Sequence, residues 1–100
     1  MPLTKFAMIV KGPGYDPAVH RALLDSSEFS TTVVCVSRFE EALAVAASLQ
    51  QQGIQLIELC GGFTPDQATA IHRSFDSKIP VGVVRSSPDE QQQLALLFAQ

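Results

Sequence analysis

Four short apolar runs divide the chain at similar intervals. Their apolar residues are nearly continuous rather than alternating, which is typical of strands that are buried on both faces of a parallel sheet. The runs are rich in β-branched and other apolar side chains, and they cover residues 5–10, 32–36, 54–60 and 79–84. The pattern therefore predicts four buried strands.

Each apolar run is followed by residues that begin helices. In three of the four places a capping side chain stands three residues before Glu or Gln, and in three of them proline takes the first helical position. The predicted starts are Asp16-Pro17, Ser37 with Glu40, Thr64-Pro65 with Gln67, and Ser87-Pro88 with Glu90. Strand and helix therefore alternate four times, which predicts a parallel sheet with right-handed crossovers.

Two architectures fit an α/β domain of four βα units. One is an open, mostly parallel four-stranded sheet with helices flanking both faces, as in flavodoxin-like proteins, where the first strand lies beside the third. The other is a curved half of a TIM-like barrel, in which consecutive strands are neighbours. The order of elements favours neither over the other.

The composition indicates one compact domain over residues 1–100. Hydrophobic residues make up 46% of the chain and charged residues 17%, which is typical of a globular protein rather than a disordered one. A chain of this length can enclose one core but not two. We therefore expect a single α/β domain.

Charge and cysteine content argue against several classes of protein. The formal charge is −3 and the basic residues are scattered, so nucleic-acid binding is not expected. No apolar run approaches the roughly 20 residues that cross a bilayer, and the N-terminus has no signal-peptide pattern, so we expect a cytoplasmic protein. Cys35 and Cys60 lack C-x-x-C spacing, and neither a metal-ligand set nor a cofactor motif is present.

Candidate ligand-binding residues lie where the predicted strands end. In parallel α/β sheets, ligands bind beyond the carboxyl ends of the strands, near the starts of the following helices. Cations, hydroxyls and a Gly-Gly pair all fall in these places. The predicted ligand-binding residues are Lys11, Gly61, Gly62, Thr64, Arg85 and Ser86.

Glu58 interrupts the otherwise apolar run of residues 56–60. An unpaired carboxylate buried in a sheet is costly, so this position predicts either a partner or a chemical task. In the structural interpretation, Glu58 and Arg85 form a buried ion pair that fixes one strand register. In the functional interpretation, Glu58 is a general acid or base whose pKa is tuned by burial and a nearby cation.

Cys60 stands beside the Gly-Gly pair and is a second candidate catalytic residue. Its thiolate could act as a nucleophile if a helix end or Arg85 stabilised it. The competing interpretation is a small buried hydrophobic residue, because neither His20 nor His72 is placed to serve as its base.

The last predicted helix is apolar almost all the way round over residues 94–99. An open sheet also has two unprotected edges, and both features favour a second copy of the chain. We therefore predict a homo-oligomer, most simply a two-fold dimer, that uses Leu94, Leu97 and Phe98. In the alternative interpretation this helix is buried within its own chain.

Two segments resemble a family of small bacterial proteins that is catalogued only as a domain of unknown function. They are residues 57–63, read IELCGGF, and residues 80–85, read PVGVVR, and the resemblance extends upstream to residues 16–21. It covers nearly the whole chain, but it implies no activity, cofactor or catalytic residue.

Two functions follow from the residues themselves. The first is binding of an anionic small metabolite at the carboxyl ends of the strands, with catalysis by Glu58 left open. The alternative is a non-catalytic, homo-oligomeric interaction module in which Glu58 and Arg85 form a structural ion pair.

Overall fold

A computed structural model describes residues 2–76 and 78–99 of the chain. It contains five strands and three helices in these ranges, and the α/β class predicted from the sequence is confirmed. The strands are β1 (Lys5–Lys11), β2 (Arg21–Asp25), β3 (Ser30–Val36), β4 (Leu56–Leu59) and β5 (Val81–Val83). The helices are α1 (Phe39–Gln51), α2 (Pro65–Ser74) and α3 (Pro88–Phe98).

The five strands form one open sheet in the order β2-β3-β1-β4-β5. Strands β3, β1, β4 and β5 are parallel, whereas β2 runs antiparallel to β3 at the edge. Because β1 lies between β3 and β4, the parallel strands have the flavodoxin-like order rather than the consecutive order of a half-barrel. The predicted sheet was therefore one strand short.

The additional strand, β2, replaces the first predicted helix. The Asp16-Pro17 signal does start a turn, because Asp16 Oδ1 accepts from Ala18 N–H at 2.9 Å and Asp16 O accepts from His20 N–H at 2.8 Å. The chain then extends into β2 and turns back at Ser26 towards β3. The helix predicted to start at Asp16-Pro17 is wrong, because Asp-Pro begins a single turn as readily as a helix.

One face of the sheet carries the core, and we call it the helix face. Side chains of alternate residues in β1, β3 and β4 point to this face, where α1 and α2 pack against them and against each other. Each fully buried Ile or Leu here stabilises the fold by about 1.5–3 kcal/mol. The completely buried sheet residues are Ala7, Ile9, Val34, Val36, Ile57 and Leu59.

Among the described residues, no helix packs on the other face, here called the open face. It presents Met8, Val33, Cys35, Leu56 and Glu58, which the strand registers place side by side and which are all half-buried. In the open-sheet alternative, helices were expected on both faces, whereas α1 and α2 share the helix face. No residue of α3 is buried, so the interpretation that it is enclosed within its own chain is also wrong.

The start of α1 differs by one residue from the prediction. Glu41 rather than Glu40 forms the cap: its Oε1 accepts from Ser37 N–H at 2.9 Å and from Arg38 N–H at 3.0 Å. The predicted pairing failed because the helix begins at Phe39, so that Glu41 is its third residue. The hydrogen bond from the Ser37 backbone is the main cause of the lowered pKa of Glu41.

The other two predicted helix starts are confirmed. Thr64 and Gln67 form a reciprocal capping box, and Ser87 Oγ accepts from Glu90 N–H at 3.4 Å. Each is followed by proline at the first helical position. None of the three helices in the described ranges is long and apolar enough to cross a membrane.

Candidate functional site

The carboxyl ends of β1, β4 and β5 lie side by side because these strands are parallel neighbours. The Lys11 N–H donates to Cys60 Sγ at 3.2 Å, and the Cys60 N–H donates to Ile9 O at 3.1 Å. The Val84 N–H donates to Leu59 O at 2.9 Å. The segments that follow β4 and β5 are therefore fixed by hydrogen bonds beside each other.

A cleft of about 390 Å³ opens at these carboxyl ends, between the residues that follow β4 and β5 and helix α3. Three of the predicted ligand-binding residues, Gly61, Arg85 and Ser86, line it. The side chain of Arg85 is exposed, and within the described residues it forms no ion pair. The remaining lining residues are Val84, Gln91 and Leu94.

Gln91 and Leu94 belong to α3 and were not predicted as site residues. The Ser87-Pro88 cap starts α3 directly after Ser86, and residues of its first two turns line the cleft together with the residues that follow β5. Gln91 Nε2 donates to Ser86 O at 2.8 Å, which closes one side of the cleft. The helix start was visible in the sequence, but the direction in which the helix leaves the strand was not.

Lys11 lies at the carboxyl end of β1 but does not line the cleft. Its ammonium is 5.1 Å from the centre of the Phe63 ring, a distance at which a cation and an aromatic ring attract each other. Phe63 itself is 1% exposed and belongs to the core. This arrangement gives Lys11 a structural contact that the sequence did not reveal.

Thr64 is committed to the helix that it begins. Its hydroxyl accepts from Gln67 N–H at 3.1 Å, while its own N–H donates to Gln67 Oε1 at 3.0 Å. These bonds occupy the Thr64 hydroxyl and the Thr64 and Gln67 N–H groups at the start of α2. The structure therefore places Thr64 as a cap beside the cleft rather than in its lining.

Glu58 lies on the open face of the sheet, away from the helix face. It is half-buried on the open face, where its register partners are Met8 and Gly82, and no charged residue of the described chain is buried. Arg85 comes three residues after Gly82, or about 10 Å further along an extended strand. The buried Glu58–Arg85 ion pair is therefore wrong, and Glu58 does not line the cleft.

Cys60 has a backbone partner and no base. Its half-buried thiol accepts from the Lys11 N–H. Both histidines bond elsewhere, since His20 Nδ1 accepts from Asp16 N–H and His72 Nδ1 lies 2.9 Å from Ile79 O. Within the described residues neither histidine bonds to Cys60, and a nucleophilic role for Cys60 stays a prediction.

The two adjacent glycines have different surroundings, which gives a matched pair of substitutions. A Cβ on Gly62 would lie 3.3 Å from Lys11 O and 3.5 Å from Cys60 Sγ, whereas a Cβ on Gly61 would meet no atom within 4 Å. We expect Gly62→Ala to lower the free energy of unfolding by about 1–3 kcal/mol through overpacking. Urea unfolding of both variants checks this, and equal stabilities would contradict it.

A larger hollow of about 530 Å³ lies at the far edge of the sheet, along β2. Its lining includes Leu23, Leu24 and Phe29, and its only charged lining residue is Asp25. Such a surface does not suit an anion. A smaller hollow of about 220 Å³ is lined by Arg21 without an acidic residue, but it lies along the side of β2 and not at the carboxyl ends of the parallel strands. Among residues 2–76 and 78–99, no cluster of His, Cys, Asp and Glu could hold a metal ion.

Comparison with known proteins gives one match. Residues 4–99 match the family model described as a family of unknown function, DUF6506. No curated protein and no solved structure matches the chain.

Proposed function

The chain belongs to the DUF6506 family, which has no assigned function, and we propose that it binds a small anionic metabolite in the cleft between the β4 and β5 ends and α3. The single observation that carries the proposal is the position of Arg85. Its exposed side chain lines a cleft at the end of the sheet where parallel α/β proteins hold their ligands.

Polar groups around Arg85 support an anion rather than a neutral ligand. Within the described part of the chain, the Gly61 and Ser86 N–H groups donate to no other protein group. Backbone N–H groups and a guanidinium are the donors that carboxylate and phosphate groups prefer, because charge-assisted hydrogen bonds are the strong ones. No carboxylate lines the cleft to oppose an anion.

The size of the cleft limits the ligand to a small molecule. Its volume of about 390 Å³ is near the lower end of the roughly 300–1,000 Å³ found for small-molecule sites. Val84 and Leu94 supply apolar surface for a short carbon skeleton, while Arg85 holds the charged group. Binding alone is proposed, because neither Glu58 nor Cys60 lines the cleft. Two free cysteines agree with the cytoplasm as the place of action.

A thermal-shift screen against phosphorylated and carboxylate metabolites tests the proposal. A ligand at 100 times its Kd adds about 2.7 kcal/mol, which for a domain of this size is roughly 10–20 °C in Tm. Neutral analogues of each hit, such as the corresponding alcohol or amide, serve as controls. Failure of every anion in a broad panel to raise Tm would contradict the proposal.

A second candidate function is self-association through α3. Its last turns expose apolar side chains that nothing in the described chain covers, with Leu96 at 71% and Phe98 at 77% exposed. Contiguous exposed apolar surface of this kind is typical of interaction sites. We propose a homo-oligomer in which Leu94, Leu97 and Phe98 form the contact.

The Leu97→Glu substitution tests this second candidate. Placing a charge in the α3 contact should lower the mass measured by light scattering, because the carboxylate would lose its water in the interface. Ala47→Glu on the exposed side of α1 is the control, and it should leave the mass unchanged. An unchanged mass for Leu97→Glu would remove α3 as the contact.

A further inference from the structure

Strand β2 is an edge strand that nothing in the described chain covers. All five of its residues are exposed, and Leu23 and Leu24 are each 62% exposed. Proteins usually protect such edges with proline, a bulge or an inward-pointing charge, because the free backbone groups can pair with another strand. Strands β2 and β5 are the two opposite edge strands of the sheet, so β2 is separate from both surfaces proposed above, which lie beside β5 and on α3.

Hydrogen bonds at the two ends of the β2–β3 hairpin fix which backbone groups of β2 are free. The Cys35 N–H donates to His20 O and the Ser26 N–H donates to Phe29 O, both at 2.9 Å. In an antiparallel ladder the bonded pairs occur at every second residue, so the even-numbered residues of β2 bond to β3. The backbone groups of Leu23 and Asp25 and the Arg21 carbonyl therefore point towards the free edge, while the Arg21 N–H donates to Val19 O at 3.2 Å.

The side chains of these same three residues share the helix face of the sheet. Their register partners on β3 are Val34, Thr32 and Ser30, and Val34 is buried on that face. The free edge thus presents a basic, an apolar and an acidic side chain at equal spacing, in the order Arg21, Leu23, Asp25.

This order is self-complementary in an antiparallel pairing, and we propose that two copies of the chain join their sheets through β2. With the two-fold axis at Leu23, each Leu23 N–H donates to the partner's Leu23 O. Each Asp25 N–H donates to the partner's Arg21 O. The result is a continuous ten-stranded sheet with one isologous interface.

The charges set this register. Centring the pair on Leu23 places Arg21 directly opposite the partner's Asp25, and Asp25 opposite the partner's Arg21, on the same face of the sheet. Opposite charges in facing positions stabilise a strand pair, and like charges in those positions destabilise it. The two Leu23 side chains meet between these ion pairs, beside the ends of the two α1 helices.

Within the described part of the same chain, neither Arg21 nor Asp25 forms an ion pair, although Lys5 lines a hollow with Asp25. Arg21 and Asp25 are four residues apart on one strand, or about 13 Å, which is too far for them to pair with each other. Arg21 Nε donates to Pro17 O at 3.0 Å, which holds the side chain near the edge and leaves its terminal nitrogens available. Lys5, the nearest lysine across the sheet, donates to Gln52 O at 2.7 Å.

Charge reversal tests the pairing and its register together. Arg21→Asp places two acidic groups opposite each other at both ends of the strand pair, and Asp25→Arg places two basic groups there. Each variant alone should weaken self-association roughly tenfold to a hundredfold. In the Leu97→Glu background, where an α3 contact does not contribute, light scattering at a suitable concentration should then give half the mass of the chain with the native β2. Arg73→Asp and Asp66→Arg, at exposed positions on α2, are controls for the change in net charge.

Mixing the two variants gives the decisive result. In a mixed dimer the aspartate introduced at position 21 of one copy faces the arginine introduced at position 25 of the other. The native Asp25 of the first copy faces the native Arg21 of the second, so both ion pairs return. We expect the equimolar mixture to recover the wild-type mass, as should the double variant Arg21→Asp/Asp25→Arg. Far-UV circular dichroism confirms that each variant is folded.

Three outcomes would overturn the proposal. The first is a wild-type chain that is monomeric at high concentration. The second is an unchanged mass for the single variants, and the third is an equimolar mixture of the two variants that does not recover the wild-type mass. A monomer that instead captures added extended peptides would assign the β2 edge to a different partner. Because Leu97→Glu is measured in the same experiment, loss of an α3 contact is distinguished from loss of the β2 pairing.

Discussion

Replacing Phe63 with alanine should lower the free energy of unfolding by about 3–5 kcal/mol, the range for removing a large aromatic side chain from a core. Phe63 is 1% exposed and is the largest fully buried side chain in the described residues. Its ring also lies under the Lys11 ammonium at 5.1 Å, and that attraction would be lost with it. For a protein with a typical stability of about 5–15 kcal/mol, such a loss brings the fold close to its limit.

Urea unfolding of the monomer measures this effect, with Phe98→Ala as the matched control. Phe98 is 77% exposed on α3, so its truncation should change the free energy of unfolding by less than about 0.5 kcal/mol. Low protein concentration keeps self-association out of the comparison. Similar losses for both variants would mean that Phe63 is not the core residue described.

Replacing Arg85 with glutamine should weaken anion binding by roughly tenfold to a hundredfold. A hydrogen bond to a charged group contributes about 1.5–3 kcal/mol, and each 1.4 kcal/mol is a factor of ten in Kd. Arg85 is the only charged residue in the lining of the cleft. Because its side chain is exposed, the stability of the unliganded protein should change by less than about 0.5 kcal/mol.

Lys11→Gln separates a specific site from general attraction by positive charge. Lys11 lies at the same edge of the sheet but contacts Phe63 and does not line the cleft. Calorimetry with the best anion from the screen should therefore give a much smaller loss of affinity for Lys11→Gln than for Arg85→Gln. Equal losses would indicate diffuse electrostatic attraction and no defined cleft.

The parallel strands were predictable because their signal is local. Residues 5–10 and 32–36 are continuous apolar runs, and the structure places strands there with only small shifts at their ends. The helix starts at Thr64 and Ser87 were equally visible, since a capping side chain, a proline and a Glu or Gln lie within four residues. Strand order needed the structure, because the sequence left two arrangements open.

Strand β2 was not predictable from the same signals. Its residues Arg21–Asp25 have no alternation of apolar and polar side chains, because an uncovered edge strand has no buried face that would demand it. The Asp-Pro pair before it suggested a helix, and Ala22, Leu23 and Leu24 are compatible with one. Only the hydrogen bonds of the hairpin settle the matter.

The candidate site was predictable in its location but not in its membership. Gly61, Arg85 and Ser86 line the cleft because the carboxyl ends of parallel neighbours meet. Glu58 seemed important because a carboxylate in an apolar run suggests burial on both faces. Since the open face carries no helix, Glu58 is half-buried there and needs no ion pair.

The most direct test of anion binding in the cleft is a titration of the ¹⁵N-labelled protein with inorganic phosphate and with glycerol phosphate, followed by ¹H–¹⁵N correlation spectra. We expect saturable chemical-shift changes at the amides of Gly61, Arg85, Ser86 and Gln91, and no change at the amides of β2. Shifts that do not saturate, or that are spread over all the basic residues, would contradict an anion site at the carboxyl ends of the strands.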